Sequence, residues 1–106
     1  MKIRNYILDD KGNPVPEGDT LKWGRWFEKA RGKGQLVVKQ ETIGKSWVST
    51  VFLGLDHNWG KGPPILWETM VFRHGGSEEM DRCSGSREQA EAMHERMVKR
   101  VKKGKL

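Results

Sequence analysis

Ser46-Trp47-Val48-Ser49-Thr50-Val51-Phe52-Leu53-Gly54-Leu55, then Asp56-His57-Asn58-Trp59-Gly60-Lys61-Gly62-Pro63-Pro64, then Ile65-Leu66-Trp67-Glu68-Thr69-Met70-Val71-Phe72-Arg73: this run decides the fold. Its flanks are rich in Val, Leu, Thr and aromatic residues and read as two antiparallel strands joined by residues 56–64. In each flank both alternating sets are apolar. Val48 and Phe52 oppose Trp47, Val51 and Leu53, while Leu66, Met70 and Phe72 oppose Ile65, Trp67 and Val71. A sheet apolar on both faces requires cover on both.

Working outward, Gln35–Thr42 reads as a strand turned into Ser46–Leu55 by Ile43-Gly44-Lys45, and His74-Gly75-Gly76-Ser77 turns Ile65–Arg73 into a shorter strand, Glu79–Cys83. Lys2–Leu8 is a first strand, closed by the turn-forming run Asp9-Asp10-Lys11-Gly12-Asn13-Pro14. Between them, Asp19 or Thr20 caps a helix to Arg31, with Trp23, Trp26, Phe27 and Ala30 on one stripe and Gly32 as the stop. The last element starts at Ser86-Arg87-Glu88-Gln89, a capping-box pattern, and carries Ala90, Met93, Met97 and Val101 on one face, with His94 expected on the helix surface beside them. The fold expected is α+β: an antiparallel sheet of about five strands with two helices, in the order β-α-β-β-β-β-α.

A chain of 106 residues supports one domain, 1–103, ending in a basic C-terminal tail, 99–106, that closes the last helix. The tail holds Lys99, Arg100, Lys102, Lys103 and Lys105, five bases without an acid and with little apolar surface, in a chain of net charge +6. No apolar run reaches the roughly 20 residues of a membrane span, and the early lysine and arginine do not fit a signal peptide, so the expectation is cytoplasmic, without membrane association. One helix layer cannot cover two sheet faces, so a homo-oligomer is expected. A single cysteine, Cys83, excludes a disulfide framework and Cys-rich zinc modules.

The nine residues 56–64 exceed what joins two neighbouring strands, which marks them as a binding loop, or else as a turn stiffened by Asp56 and Asn58 with Trp59 folded back. The ligand-binding candidates are Asp56, His57, Asn58, Trp59, Lys61, Glu68, Arg25 and Trp26, because tryptophan faces stack on bases and basic side chains meet phosphate. Glu68, among apolar neighbours, takes Arg82 or Arg25 as a structural partner or else accepts from a ligand. Asp56, His57 and His74 have ligand chemistry, but the strand carries His74 far from His57, and no metal is expected. No nucleophile-elbow or phosphate-loop pattern occurs, and Cys83, expected opposite Glu68, is not activated there. No catalytic residue and no cofactor follow. A small hydrolase working through Asp56, His57 and Glu68 is the minor alternative, and a nucleic-acid-binding accessory protein using Lys99–Lys105 the main one.

Ser49-Thr50-Val51-Phe52-Leu53-Gly54-Leu55-Asp56-His57-Asn58-Trp59, with Gly62-Pro63-Pro64 and Leu66-Trp67-Glu68-Thr69-Met70-Val71-Phe72, is similar to a block in a family of small phage- and prophage-encoded proteins. The likeness extends to Tyr6-Ile7-Leu8-Asp9, Gly12–Pro16, Trp26-Phe27-Glu28 and Glu91 with His94–Met97. In that family phenylalanine often stands at the positions of Trp59 and Trp67, which keeps the ring and drops the indole N–H. No activity attaches to the family. The resemblance implies a mobile-element setting in a bacterial host, with counter-defence by binding an anionic, nucleotide-like small molecule or a host defence protein.

Overall fold

Four strands make the main sheet, in the order of the chain: β3 (Val37–Ile43), β4 (Ser46–Phe52), β5 (Ile65–Arg73) and β6 (Gly76–Ser84), each antiparallel to the next. The computed structural model describes residues 3–74 and 76–104. Lys2 of the expected first strand, Gly75 of the expected turn and Lys105 of the tail lie outside the described residues. Two short strands, β1 (Tyr6–Leu8) and β2 (Pro14–Pro16), form a separate hairpin, and the helices are α1 (Thr20–Gly32) and α2 (Arg87–Lys102).

The fold is α+β as expected, with one strand more, in the order β-β-α-β-β-β-β-α among the described residues. The difference lies at Pro14-Val15-Pro16. Two prolines argue against a strand in a sheet interior, but here the segment only has to pair with β1 at an edge. β1 is not a strand of the main sheet. It is tied to it through an isolated bridge between Asn5 and Leu55, and Tyr6 N donates to Gly54 O at 2.9 Å.

The faces of the sheet follow from register. Phe52 opposite Trp67, Thr50 opposite Thr69 and Val48 opposite Val71 point toward α2. That helix begins at the expected capping box, with Ser86 and Gln89 bonded reciprocally, and sets Met97, Val98 and Val101 against Val48 and Val71. Ala90 and Met93 join Phe52, Trp67 and Leu36. α1 and the hairpin extend this same core, contributing Ala30, Trp26, Phe27, Tyr6 and Leu8. Trp67, fully buried, donates its indole N–H to Gly85 O at 2.8 Å.

β4 stops at Phe52, short of the expected Leu55, because Gly54 turns the chain at a φ of +74°. Its backbone lies so close to α1 that a Cβ there would sit 2.6 Å from the Phe27 ring. Trp23 donates its indole N–H to both Tyr6 O and Gly54 O, at 3.1 and 3.0 Å, which binds helix, hairpin and loop foot together.

Both helices thus serve one face. The other, with Trp47 opposite Phe72, Ser49 opposite Met70 and Met70 opposite Met80, is covered by no helix among the described residues. No helix among the described residues is long and apolar enough to cross a membrane.

Candidate functional site

The connection from β4 to β5 is a built loop, and its framework comes from two side chains. Asp56 is buried, and its Oδ1 accepts the backbone N–H of Asn58 at 2.7 Å and of Ile65 at 2.9 Å. Asn58 accepts from Gly60 N at 3.0 Å and donates to Lys61 O and Pro63 O at 3.2 and 2.9 Å. Each replaces a strand ladder with a side-chain bond to nearby backbone, the behaviour that makes Asp and Asn turn residues. Backbone bonds from His57 N to Ile65 O and from Asp56 N to Arg4 O, at 2.9 and 2.8 Å, fix the base. Arg4 then reaches across, donating to Asp56 O and, at 3.3 Å, to Asn58 O.

These contacts give Asp56 and Asn58 a structural part in the loop, the turn-stiffening role that their residue types also allow. Trp59 does the opposite of folding back: it is 83% exposed. The Arg4 guanidinium lies 3.5 Å from the centroid of its ring, a cation–π stack that orients the indole while leaving it in solvent. Lys61 is exposed beside it and His57 half-buried. Arg4 is a member of this site that sequence reasoning missed, since a lone arginine before a strand carries no signal of the loop it will meet some 50 residues later.

The remaining candidates lie elsewhere. Glu68 pairs with Arg82, Oε2 to Nε at 2.9 Å, so of the two expected structural partners it takes Arg82. Trp26 packs edge-on against Phe52 with centroids 6.1 Å apart. It also borders a groove of about 500 Å³ with Asp9, Asp10, Gln35 and Arg87, where two aspartates oppose an anionic occupant. Arg25 is exposed on the outer side of α1, beside Leu21, Gly24 and Glu28. Among the described residues no hydrogen bond, ion pair or ring stack joins either of them to Trp59 or Lys61.

Of the basic tail, residues 99–102 are the last turn of α2 and Lys103 is its C-cap. Lys99, Lys102 and Lys103 are exposed, while Arg100 pairs with Glu79 at 3.3 Å. Val101 is buried in the core, so residues 99–106 carry packing that the expectation of little apolar surface overlooked.

His94 is the larger correction. It is fully buried under α2, not on its surface. Its Nδ1 lies 2.7 Å from Thr50 Oγ1, its Nε2 lies 3.0 Å from Glu41 Oε1, and Thr50 Oγ1 lies 2.5 Å from Thr69 Oγ1. A hydroxyl, an imidazole and a carboxylate in line have the form of a nucleophile with its base and orienter. Thr50 and Thr69 have no exposed surface, so no substrate reaches that hydroxyl, and the chain acts as a buried hydrogen-bond network.

Glu41, His94 and Glu95 are the metal-capable group among the described residues, with ligand atoms within 4.8 Å of one another. Each already has a partner there. His94 faces Glu41, and Glu95 pairs with Lys39 at 2.8 Å, which lowers the Glu95 carboxyl and raises the Lys39 ammonium from their ordinary values. A cation would have to displace that ammonium. Cys83 stands opposite Trp67 rather than Glu68: Arg73 pairs with Gly76, which alone would set Cys83 opposite Leu66, and the register shift between Val71 and Phe72 moves it by one residue. Its thiol is pushed up chiefly by burial, with Asp81 adding to the effect and Arg96 opposing it.

Comparison of the chain with protein-family models, with curated proteins and with solved structures gives no match.

Proposed function

We propose that the chain is a non-enzymatic binding protein that docks through the tip of loop 56–64 onto an acidic surface of another protein. In the phage setting that the sequence resemblance implies, that partner is a host defence component. One observation carries this reading: Trp59 stands 83% exposed on a loop that is already bonded into shape. A large rigid aromatic paired with arginine is the composition of interface hot spots. Because Asp56 and Asn58 have fixed the backbone beforehand, little ordering entropy remains to oppose association.

The charge at the tip comes from Arg4 and Lys61, since Asp56 is buried within the framework. That favours an acidic partner and steers the encounter. A macromolecular partner fits better than a small nucleotide-like one, because small ligands are held in concavities that bury most of their surface. Trp59 protrudes.

The test is plaque formation in bacteria that carry a defence system and express the protein. Wild type should raise plating efficiency, and Trp59→Ala and Lys61→Glu should each remove the effect while melting at the wild-type temperature. Full activity in Trp59→Ala would refute the reading. A nucleotide found bound to the purified protein by native mass spectrometry would replace the protein partner with the small-molecule one. The alternative, a nucleic-acid accessory role, rests on exposed Lys99, Lys102 and Lys103 at the end of α2. It requires DNA affinity that falls steeply with salt and survives Trp59→Ala.

A further inference from the structure

We propose that the open face of the sheet is a homodimer interface, occupied by the same face of a second copy of this chain. This surface is distinct from the loop, and the two proposals stand or fall separately.

The residues that face away from α2 are Trp47, Ser49 and Val51 on β4, Glu68, Met70 and Phe72 on β5, and Met80 and Arg82 on β6. Trp47 stacks on Phe72 with centroids 5.3 Å apart, yet remains 40% exposed, and Met80 is 44% exposed. Trp, Phe, Met and Arg are the types enriched in interfaces, and charge depletion marks their centres. Among the described side chains of this face that alternation places on β4, β5 and β6, the charged ones are Glu68 and Arg82, and they already neutralise each other.

That neutrality selects the occupant. A chain of net charge +6 attracts acidic partners to its basic surfaces, and the described side chains of this face offer them no net charge. Two copies repel through their total charge, but stacking this face on itself brings together apolar side chains and internally paired ions, with no like charges forced into contact. A two-fold arrangement requires such a self-compatible patch.

The area agrees. Four strands about 4.8 Å apart and seven residues of about 3.3 Å each give a face of about 20 by 23 Å. Two such faces cover about 900 Å² flat, and more with side-chain relief, which reaches the about 1,000 Å² where specific interfaces begin. The dimer therefore belongs among the weaker stable ones, with dissociation in the micromolar range.

The experiment is sedimentation equilibrium of the full chain over about 1 to 200 μM, a span that brackets micromolar dissociation. The wild type should pass from one chain to two, while Met80→Glu and Trp47→Lys remain single chains over the same range. A wild type that stays monomeric at the highest concentration overturns the proposal, including the case where a different molecule covers the face. Dimerisation that survives both substitutions, with circular dichroism unchanged, overturns it as well. Should the variants unfold, methionine-methyl NMR of the wild type decides. Met70 and Met80 should shift with protein concentration while Met93 and Met97, under α2, stay still; shifts confined to other methyls refute the interface.

Discussion

Thr50→Val probes the buried network at its centre, with almost no change of shape. The Thr50 hydroxyl touches both Thr69 and His94, and all three residues are essentially without exposed surface. A carboxylate can only accept, so His94 Nε2 donates to Glu41, and the Thr50 hydroxyl is the group that meets both Nδ1 and the Thr69 hydroxyl. Valine removes the middle of that chain and strands His94 Nδ1 and the Thr69 hydroxyl together. An orphaned buried polar group costs about 1–3 kcal/mol, so the two together should cost about 2–6 kcal/mol. Against a total stability of about 5–15 kcal/mol that is a large share. At about 4–8 °C per kcal/mol for a domain near this size, the melting temperature should fall by at least about 8 °C. Urea unfolding followed by tryptophan fluorescence measures it. Adding Thr69→Val removes one of the orphans, so the double variant should be no less stable than the single one. A Thr50→Val protein within about 0.5 kcal/mol of wild type, the ordinary range for uninvolved surface positions, would refute the network.

Asp56→Ala should cost about 2–4 kcal/mol in chemical denaturation, since two backbone N–H groups lose a charged acceptor, while Trp59→Ala should leave the midpoint nearly unchanged. Gly54→Ala combines a left-handed φ with a contact 2.6 Å from the Phe27 ring, and should lower stability by about 2–4 kcal/mol on denaturant titration. Cys83 should react with iodoacetamide more slowly at pH 7.5 than an ordinary free thiol, because burial holds it protonated; an equal or faster rate counts against this placement. The Lys39–Glu95 pair contributes above the usual carboxylate range and is lost as pH falls through the lowered Glu95 value, so Lys39→Met should flatten the acid limb of stability between about pH 5 and 3, and an unchanged limb would show the pair to be idle.

The strands and helices were legible because their periodicity is local. Ile65–Arg73 has the expected ends, α1 takes Asp19 as its cap, and Ser86 and Gln89 form the expected box. What escaped depends on contacts between distant segments. His94 reads as a surface residue until Thr50 and Glu41 are brought to it across more than 40 residues. Pro14–Pro16 reads as turn chemistry until β1 lies beside it. In the loop, residue types identified the segment but not the division of labour, because Asp and Asn serve equally well as turn formers and as ligand contacts. Only Arg4 and the backbone N–H groups they meet distinguish the two.

The alternation inside that loop separates what holds from what is displayed. The bonds that fix its path come from Asp56, Asn58 and main-chain atoms, whereas Trp59 and Lys61 project outward. Exchanging the displayed side chains leaves the holding bonds untouched, so new specificities become accessible by single substitutions without a folded intermediate being lost. A protein pressed to follow a changing target can retarget its tip one residue at a time, and a randomised library at positions 59 and 61 should consist almost entirely of folded members.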